Sequence, residues 1–315
     1  MDEFALIRRY FSSLTKPATD VALGIGDDCA LLSVPAGEVL AVTTDTLVSG
    51  RHFPVETTPF DIGWKSLAVN LSDLAAMGAQ ARWFTLALTL PDSDESWIAE
   101  FARGLAELAT QSNVALVGGD TTRGPLSITI TAMGAVPVGA ALKRSGAQVD
   151  DVVCVTGTLG DAALALRALN ESDLSTDLRE RLDRPTPRLV AGLALRDIAH
   201  AAIDLSDGLA GDLAHVLEAS NVGAEIYNAR LPSSLEFKKR VTPDESLSLQ
   251  AQGGDDYELC FCLAPEKFDE AVARLAVHDL PLTLIGRITS ERGLRFLDAN
   301  GATIDLAPHG YRHFQ

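Results

Sequence analysis

Five short acidic segments contain the residues of this sequence that are best suited to chemistry. They are Gly26-Asp27-Asp28, Thr44-Asp45-Thr46, Asn70-Leu71-Ser72-Asp73, Gly118-Gly119-Asp120 and Asp204-Leu205-Ser206-Asp207. Most of them stand where we predict a strand to end or a helix to begin, and such positions let several carboxylates converge on one point. Converging carboxylates repel one another and require a cation. Oxygen donors from Asp, Thr and Ser favour Mg²⁺, Mn²⁺ or Ca²⁺, and Mg²⁺ held partly by substrate phosphates would suit a nucleotide site.

Each acidic segment also has a purely structural interpretation. An isolated Gly-Asp or Asp-Gly pair is usually a turn, and its Asp often caps the next helix. Asp207 precedes a predicted helix and is a candidate N-cap, while Asp73 is a candidate for the solvated face of its helix. Five such segments together favour the functional interpretation, although their spacing does not name a substrate.

Phosphate groups need donors, and few known phosphate-binding motifs are present. The sequence has no GxxxxGK[ST] loop, no GxGxxG after a strand and no protein-kinase motif set. The remaining candidates are the backbone N–H groups of Gly118 and Gly119 and the guanidinium of Arg144, for which a solvated linker charge is the alternative. His52 is predicted as a surface or capping residue in preference to a base, and no GxSxG elbow occurs. We therefore predict no catalytic nucleophile or base.

The predicted elements alternate between helices and strands without strict βαβ order. We predict helices at 4–14, 59–77, 94–112, 159–170, 186–199, 209–220 and 265–278, and strands at 38–44, 82–90, 114–118, 126–136, 152–156, 201–205, 257–263 and 281–289. This mixture predicts two α+β domains. We place them at residues 1–140 and 148–315, on either side of a segment that contains Gly139, Gly146 and Asp150-Asp151.

Composition limits the class of protein. The 315 residues carry 43 Asp and Glu against 26 Lys and Arg, a formal net charge of −17, which argues against a nucleic-acid partner. None of the four cysteines forms a CxxC pair, so we expect buried free thiols in a reducing compartment. Because no apolar run reaches roughly 18 residues and the N-terminus lacks an apolar signal core, we expect a cytoplasmic protein without a membrane partner.

Taken together, the motifs resemble those of thiamine-monophosphate kinases. The matching segments are Gly24–Ala30, Thr43–Val48, Ala68–Gly78, Gly118–Thr122, Val155–Gly160, Ile203–Leu209, Gly253–Leu259 and, near the end, Gly310–Phe314. They follow the family's order and span nearly the whole chain. The family belongs to the ATP-binding superfamily of aminoimidazole-ribonucleotide synthetase.

The resemblance implies a fold, a reaction and an assembly. The fold is of the α/β class, α+β in type. Its N-terminal domain has a mixed sheet that pairs across a homodimer, its C-terminal domain is α+β, and ATP binds in a cleft between the two. The reaction is phosphorylation of thiamine monophosphate by ATP, through direct in-line transfer, to give thiamine diphosphate. Several Mg²⁺ ions act as cofactors.

The resemblance also implies the site residues. Mg²⁺ ligands are Asp28, Thr43, Thr44, Asp45, Asp73, Asp120, Asp204 and Asp207. ATP contacts are Gly119, Asp120, Arg144 and Ser206, and substrate contacts are His52, Asp255 and Tyr311. Asp255 departs from the family's usual Glu, which makes its neighbour Asp256 an alternative contact. For Tyr311, packing of the C-terminus is the alternative.

Rival functions can be compared with the same residues. Selenophosphate synthesis is disfavoured because no reactive Cys and Lys stand in a Gly-rich segment before Gly24, and hydrogenase maturation because the chain does not end in a Cys. A non-catalytic nucleotide or Mg²⁺-binding regulator is disfavoured because all five acidic segments are present. An enzyme of the same superfamily with a different acceptor is the main alternative.

Overall fold

The computed structural model describes residues 3–14 and 18–306, which form two compact units. The first unit comprises residues 1–74 and 79–139, and the second comprises residues 75–78 and 140–315. Each unit contains its own sheet and its own helices. This agrees with the prediction of an α+β fold. Tyr311 lies outside the described residues.

A four-stranded mixed sheet organises the first unit. Its strand order is β3-β6-β4-β5, in which only β4 and β5 run parallel. The strands are β3 (Glu38–Val48), β4 (Gln80–Leu90), β5 (Ala115–Arg123) and β6 (Ser127–Pro137), and a two-stranded sheet adds β1 (Val21–Leu23) and β2 (Leu31–Leu32). The helices are α1 (Glu3–Leu6), continued by a π-helical turn (Ile7–Phe11), α2 (Pro59–Ala76) and α3 (Glu95–Gln111).

The register of this sheet places Asp45 in one row with residues of the other three strands. Asp45 pairs with Ile130, Ile130 with Leu86, and Leu86 with Gly119. Ile130 and Leu86 are buried. Since side chains alternate along a strand, the next row carries its side chains on the opposite face.

Two strands are longer than the sequence predicts, which changes the position of two acidic segments. We predicted β3 to end at Asp45 and β5 to end at Gly118, but the strands continue to Val48 and Arg123. These predictions were wrong because the Thr-rich stretches beyond each acid have high strand propensity and find long partners in β6 and β4. The acids therefore lie within strands and not at their tips.

The long helices of the first unit follow their start and stop signals closely. Helix α2 begins at Pro59 and is followed by Gly78, whose φ of 62° suits a glycine that ends a helix. Asp94 caps α3 by accepting hydrogen bonds from Ser96 N and Trp97 N. The two helices pack closely because both contribute glycine where their backbones meet: a Cβ on Gly63 would lie 2.1 Å from Phe101 O.

A seven-stranded mixed sheet organises the second unit. Its order is β13-β12-β9-β11-β7-β10-β8. The strands are β7 (Val152–Thr156), β8 (Ala199–Asp204), β9 (Gly223–Tyr227), β10 (Leu259–Leu263), β11 (Leu282–Thr289), β12 (Gly293–Leu297) and β13 (Thr303–Ile304). The helices are α4 (Asp161–Arg167), α5 (Thr176–Asp183), α6 (Leu189–Leu195), α7 (Leu209–Ser220), α8 (Leu235–Arg240), α9 (Pro243–Gln252) and α10 (Phe268–Ala276).

The central strands of this sheet are buried on both faces. Along β10, Cys260 and Cys262 pack into one apolar cluster, whereas Leu259, Phe261 and Leu263 pack into another. Such strands read as continuous apolar runs. This explains why Cys154, Cys260 and Cys262 are buried free thiols, as the sequence predicts, while Cys29 is exposed.

Sequence patterns identified some elements of the second unit and missed others. Strand β7 and helix α7 have the predicted bounds, and α4, α6, β8, β10, α10 and β11 lie within a few residues of the predicted ones. Helices α5, α8 and α9 and strands β9, β12 and β13 were not predicted. None exceeds 10 residues, and a helix or strand of that length depends on tertiary packing, which local periodicity does not reveal.

Candidate active site

Asp45 and Asp73 form an acidic pair between β3 and α2. The Asp45 backbone N–H donates to Asn70 Oδ1 at 3.1 Å, and the Thr43 hydroxyl donates to the Asp73 carboxylate. Burial and, to a smaller extent, the nearby charge of Asp73 together raise the pKa of Asp45 to about 6. Asp73 is a partly buried side chain of this pair, not a residue of a solvated helix face. The pair is therefore a place where a cation would be stabilised.

Thr44 lies on the opposite face of the sheet from Asp45. Its hydroxyl is 2.9 Å from that of Thr131 on β6, and the Thr46 hydroxyl is 2.8 Å from that of Thr129. The structure thus brings Thr43, but not the Thr44 side chain, to the acidic pair. Adjacent residues in an extended strand cannot both direct their side chains to one point on a single face.

Asp28, Gly119 and Asp120 line a cavity of about 850 Å³ in the first unit. Its walls are the loop of residues 24–30, the π-helical turn and parts of β4 and β5. The Asp28 backbone N–H donates to Asp27 Oδ1 at 2.8 Å, and both acids are exposed. A cavity of this size falls in the range that binds small molecules and cofactors.

The bulge in β5 explains why a glycine stands directly before Asp120. Between Phe84 and Thr85 the β4–β5 register shifts, so that Gly118 pairs with Thr85. Gly119 has a φ of 150°, and a Cβ there would lie 1.9 Å from Leu86 O. Glycine is required at this position because a Cβ would collide with the backbone of β4.

His52 lies in the turn after β3. Its Nδ1 accepts a hydrogen bond from Val48 N at 2.9 Å, which agrees with the predicted capping role. In a neutral imidazole that accepts at Nδ1, the proton is on Nε2, so the other ring nitrogen is a donor.

In the second unit, Asp204, Ser206 and Asp207 lie on the turn between β8 and α7. The carboxylate of Asp212, one turn into α7, accepts from the backbone N–H groups of Ser206, Asp207 and Gly208 at 3.0, 3.0 and 3.1 Å. The N-cap position is Gly208 without a side-chain cap, so the interpretation of Asp207 as a plain N-cap was wrong.

Three carboxylates of this region, those of Asp204, Asp207 and Asp212, interact electrostatically. Burial, together with the charges of Asp204 and Asp207, raises the pKa of Asp212 to about 8, although its backbone hydrogen bonds act in the opposite direction. Asp204 is itself buried. The turn therefore concentrates negative potential next to Ser206, and a cation or a proton would relieve it.

Arg144 lies on an exposed segment whose backbone is hydrogen-bonded to Ser220, the last residue of α7. Ser220 Oγ accepts from Gly146 N and Ala147 N at 3.1 Å each and donates to Arg144 O at 3.2 Å. The guanidinium remains exposed. A fixed backbone with an exposed guanidinium is compatible with phosphate binding. It is equally compatible with a solvated surface charge.

Asp255 and Asp256, the two alternative candidates for a substrate contact, have different environments in the structure. The Asp256 carboxylate is buried and accepts two hydrogen bonds from Gly160 N, at 2.9 and 3.1 Å. Asp255 is partly exposed. Asp256 is therefore a structural residue, whereas the side chain of Asp255 is accessible to solvent. The third predicted substrate contact, Tyr311, lies outside the described residues.

The sequence analysis did not predict the buried ion pairs of Glu258, which lies two residues after Asp256. Glu258 is fully buried and binds Arg181 and Arg188 of the same unit. The signal that could have identified it is the acid directly before the apolar run of β10. An acid so close to a buried strand must be neutralised by a partner.

Among residues 3–14 and 18–306, no three His, Cys, Asp or Glu side chains converge closely enough to form a complete metal site. The donor set instead consists of the pair Asp45 and Asp73 with the Thr43 hydroxyl, of the cavity acids Asp28 and Asp120, and of the turn from Asp204 to Asp207. Mg²⁺ is usually bound by one or two carboxylates plus substrate phosphates, so incomplete oxygen sets of this kind fit it.

The fold and these sites define a two-domain protein of the AIR synthase related class. The family model for the N-terminal domain of AIR synthase related proteins matches residues 26–136, and that for the C-terminal domain matches residues 148–298.

Within that class, several thiamine-monophosphate kinases resemble this chain over nearly its whole length. Thiamine-monophosphate kinase of Escherichia coli strain K12 is 48% identical over 323 aligned residues, which cover 99% of this chain and 98% of the relative. The crystal structure of thiamine-monophosphate kinase from Stenotrophomonas maltophilia K279a is 52% identical, with a TM-score of 0.85 over 88% of this chain and 91% of that one. A structure described as AaThiL complexed with AMPPCP and TMP is 30% identical, with a TM-score of 0.78 over 92% of each chain. The chain belongs to the thiamine-monophosphate kinase family.

Proposed function

We propose that this protein transfers the γ-phosphoryl group of ATP to thiamine monophosphate and releases ADP and thiamine diphosphate, the last step in making that coenzyme. The observation that carries the proposal is the identity of 48% over nearly the whole length to a thiamine-monophosphate kinase. A relative that resembles this chain over 92% of its length has been described in complex with AMPPCP and TMP. AMPPCP is an ATP analogue, so both proposed substrates have counterparts in that complex.

The cavity of the first unit supports the assignment of ATP. Its volume of about 850 Å³ is ample for a nucleotide, and Gly119 is one of its lining residues. Asp120 and Asp28 supply carboxylates on the same wall. In the second unit, Arg144 and Ser206 are the further proposed ATP contacts, because a guanidinium and a hydroxyl both donate to phosphate oxygens.

Mg²⁺ is the proposed cofactor. The acidic pair Asp45 and Asp73 supports it, since burial and mutual repulsion disfavour two unneutralised carboxylates there. Thr43, Asp28, Asp120, Asp204 and Asp207 are the other proposed side-chain ligands, while Thr44 can contribute only its main chain to the face on which Asp45 lies. When bound, Mg²⁺ would neutralise phosphate charge and orient the transferring group.

The proposed reaction requires alignment more than acid–base chemistry. The acceptor is a phosphate oxygen that is already anionic near pH 7, so direct in-line transfer needs no protein base and no phospho-enzyme. The task of the chain's residues is to hold two anions in line and to compensate their charge. His52 and Asp255 are proposed to bind the acceptor. A carboxylate at Asp255 also favours the cationic thiazolium ring, as would an aromatic ring at Tyr311.

The assembly is proposed to be a homodimer, in which residues 1–140 form the nucleotide-binding and dimerisation domain and residues 148–315 the C-terminal domain. Support comes from β3, an edge strand of 11 residues with exposed Leu40, Val42 and Val48 on the face away from α2. Exposed apolar patches and long bare edges are typical of interaction surfaces.

We also propose a cytoplasmic location, where the free thiols would stay reduced. No helix within the described ranges, 3–14 and 18–306, is long and apolar enough to cross a membrane.

An acceptor panel tests the proposed function. ADP release from Mg²⁺-ATP would be measured with thiamine monophosphate, with unphosphorylated thiamine and with other phosphate monoesters. Thiamine monophosphate should be the acceptor that supports turnover, because the nucleophile is its phosphate oxygen. Turnover with a different phosphate, and none with thiamine monophosphate, would instead support a related enzyme with another acceptor.

A further inference from the structure

Beneath the proposed acceptor contact lies a buried ionic network in the second unit. We define the network as Glu258, Asp256, Arg181 and Arg188. The Glu258 carboxylate accepts from Arg181 Nη2 at 3.0 Å, from Arg188 Nη2 and Nε at 2.5 and 2.6 Å, and from the Thr156 hydroxyl at 2.7 Å. Its side chain is completely buried.

The loop after β7 packs directly on this network. Gly157 has a φ of 58°, and a Cβ there would lie 2.1 Å from Glu258 Oε1. Three residues later, Gly160 N donates to the Asp256 carboxylate. The network thus fills the space between this loop and the segment of residues 253–258, and neither can shift without breaking ion pairs or hydrogen bonds.

The segment of residues 253–258 is held in an unusual conformation. Asp255 and Tyr257 have φ values of 68° and 48°, a region that residues with a side chain rarely adopt. Asp256 lies between them with its carboxylate fixed. Rare backbone conformations of this kind persist only where the surrounding structure determines them, and they cluster at functional sites.

The same segment is hydrogen-bonded to the turn that carries the proposed nucleotide contact. Asp255 N donates to Ser206 O at 2.9 Å, Tyr257 N to Leu205 O at 2.8 Å, and Leu205 N to Glu258 O at 2.9 Å. Gly254 lies so close that a Cβ on it would be 2.5 Å from Ser206 O. The position of Asp255 is therefore defined relative to Ser206 through backbone contacts.

We propose that the buried network consists of positioning residues, which hold Asp255 in its left-handed conformation so that its carboxylate can bind the phosphorylated acceptor. This inference rests on the proposed function, in which Asp255 contacts thiamine monophosphate. Buried ion pairs contribute little net stability compared with apolar residues of the same volume, because their desolvation is costly. A role in fixing one conformation accounts for charges that stability alone does not require.

The test compares Asp256→Asn and Glu258→Gln with Asp183→Asn as the matched control. Asp183 is also a buried carboxylate of the second unit and pairs with Arg179 on α5, two residues from Arg181. Asp256→Asn keeps an acceptor oxygen for Gly160 N, so this variant should fold even where Glu258→Gln does not. The readouts are KM for thiamine monophosphate, the dissociation constant of an ATP analogue, and hydrogen exchange of the Asp255 and Tyr257 amides.

Both network variants should raise KM for thiamine monophosphate by about tenfold or more, while the affinity for the ATP analogue changes by less than about threefold. The two amides should exchange faster in these variants than in wild type and Asp183→Asn. Unchanged KM and unchanged exchange would overturn the proposal, as would an equal loss of affinity for both substrates. If wild type failed to use thiamine monophosphate, the proposed function would fall, whereas the exchange measurement would still decide whether the network holds the segment.

Discussion

At the scale of single residues, burial and partners decide which acids can serve a ligand. Asp255 and Asp256 are neighbours of the same type, yet one is partly exposed and the other is buried against Gly160 N. Likewise Thr43 contacts Asp73, while Thr44 contacts Thr131 on the other face. The sequence could identify these residues as a set through motif resemblance. It could not separate them, because their orientation depends on strand register and on buried partners such as Glu258.

Replacing Asp45 tests the acidic pair. Asp45→Asn removes one charge without changing size, and should lower kcat at least about tenfold, roughly 1.4 kcal/mol in the activation barrier. Steady-state kinetics at saturating Mg²⁺ measures it. Thr46→Ala on the same strand is the control, since Thr46 faces Thr129 on the opposite side of the sheet. Near-normal turnover of Asp45→Asn would remove Asp45 from the site.

Thiol reactivity tests the burial of the cysteines. Burial raises the pKa values of Cys154, Cys260 and Cys262, so these thiols remain protonated as pH rises through the ordinary range for Cys. In the native protein at pH 8, a thiol reagent should react rapidly only with the exposed Cys29, and in denaturant it should react with all four. Rapid reaction of several thiols in the native state would contradict the described core.

At the scale of elements, local sequence predicts where helices begin and end and which segments form strands. It does not predict how far a strand continues. Helix α2 begins and ends at its Pro and Gly signals, and β6 alternates as a half-buried strand should. The predicted ends of β3 and β5 were wrong because their partner strands extend the pairing past Asp45 and Gly118. Pairing partners are distant in sequence, and a local pattern contains no information about them.

The close approach of β5 and β4 predicts different costs for two adjacent glycines. Gly119→Ala would force a Cβ to 1.9 Å from Leu86 O at a φ of 150°, and should lower the free energy of unfolding by at least about 2 kcal/mol. Gly118→Ala is the matched control, because its nearest neighbour would be Thr85 Cγ2 at 3.8 Å. Urea unfolding of both variants measures the difference. Equal stabilities would mean that β5 is not bulged as described.

At the scale of the whole molecule, two α+β units and an α+β fold could be predicted from the sequence. The long predicted elements indicated the fold class. The motifs indicated the thiamine-monophosphate kinase family, to which the chain belongs. The order of the seven strands in the second unit could not be predicted. It is set by long-range packing of short elements such as β9 and β12, which lack a strong periodic pattern.

The exposed apolar face of β3 predicts the oligomeric state. Wild type should be a dimer at micromolar concentration, and Val42→Asp should shift it towards monomer by placing a charge among exposed apolar side chains. Light scattering after gel filtration measures both. Val55→Asp is the control, since Val55 is even more exposed, at 77% against 57% for Val42, but lies outside the sheet. A wild-type monomer, or dimers in both variants, would contradict the proposed interface.

The most direct measurement of the central claim follows the label from [γ-³²P]ATP. The purified protein would be incubated with Mg²⁺ and thiamine monophosphate, and the products would be separated by chromatography. We predict labelled thiamine diphosphate, with the label on the terminal phosphate, and no labelled product when EDTA is present. Label that appears only as inorganic phosphate, or product that forms equally well in EDTA, would contradict Mg²⁺-dependent phosphoryl transfer to thiamine monophosphate.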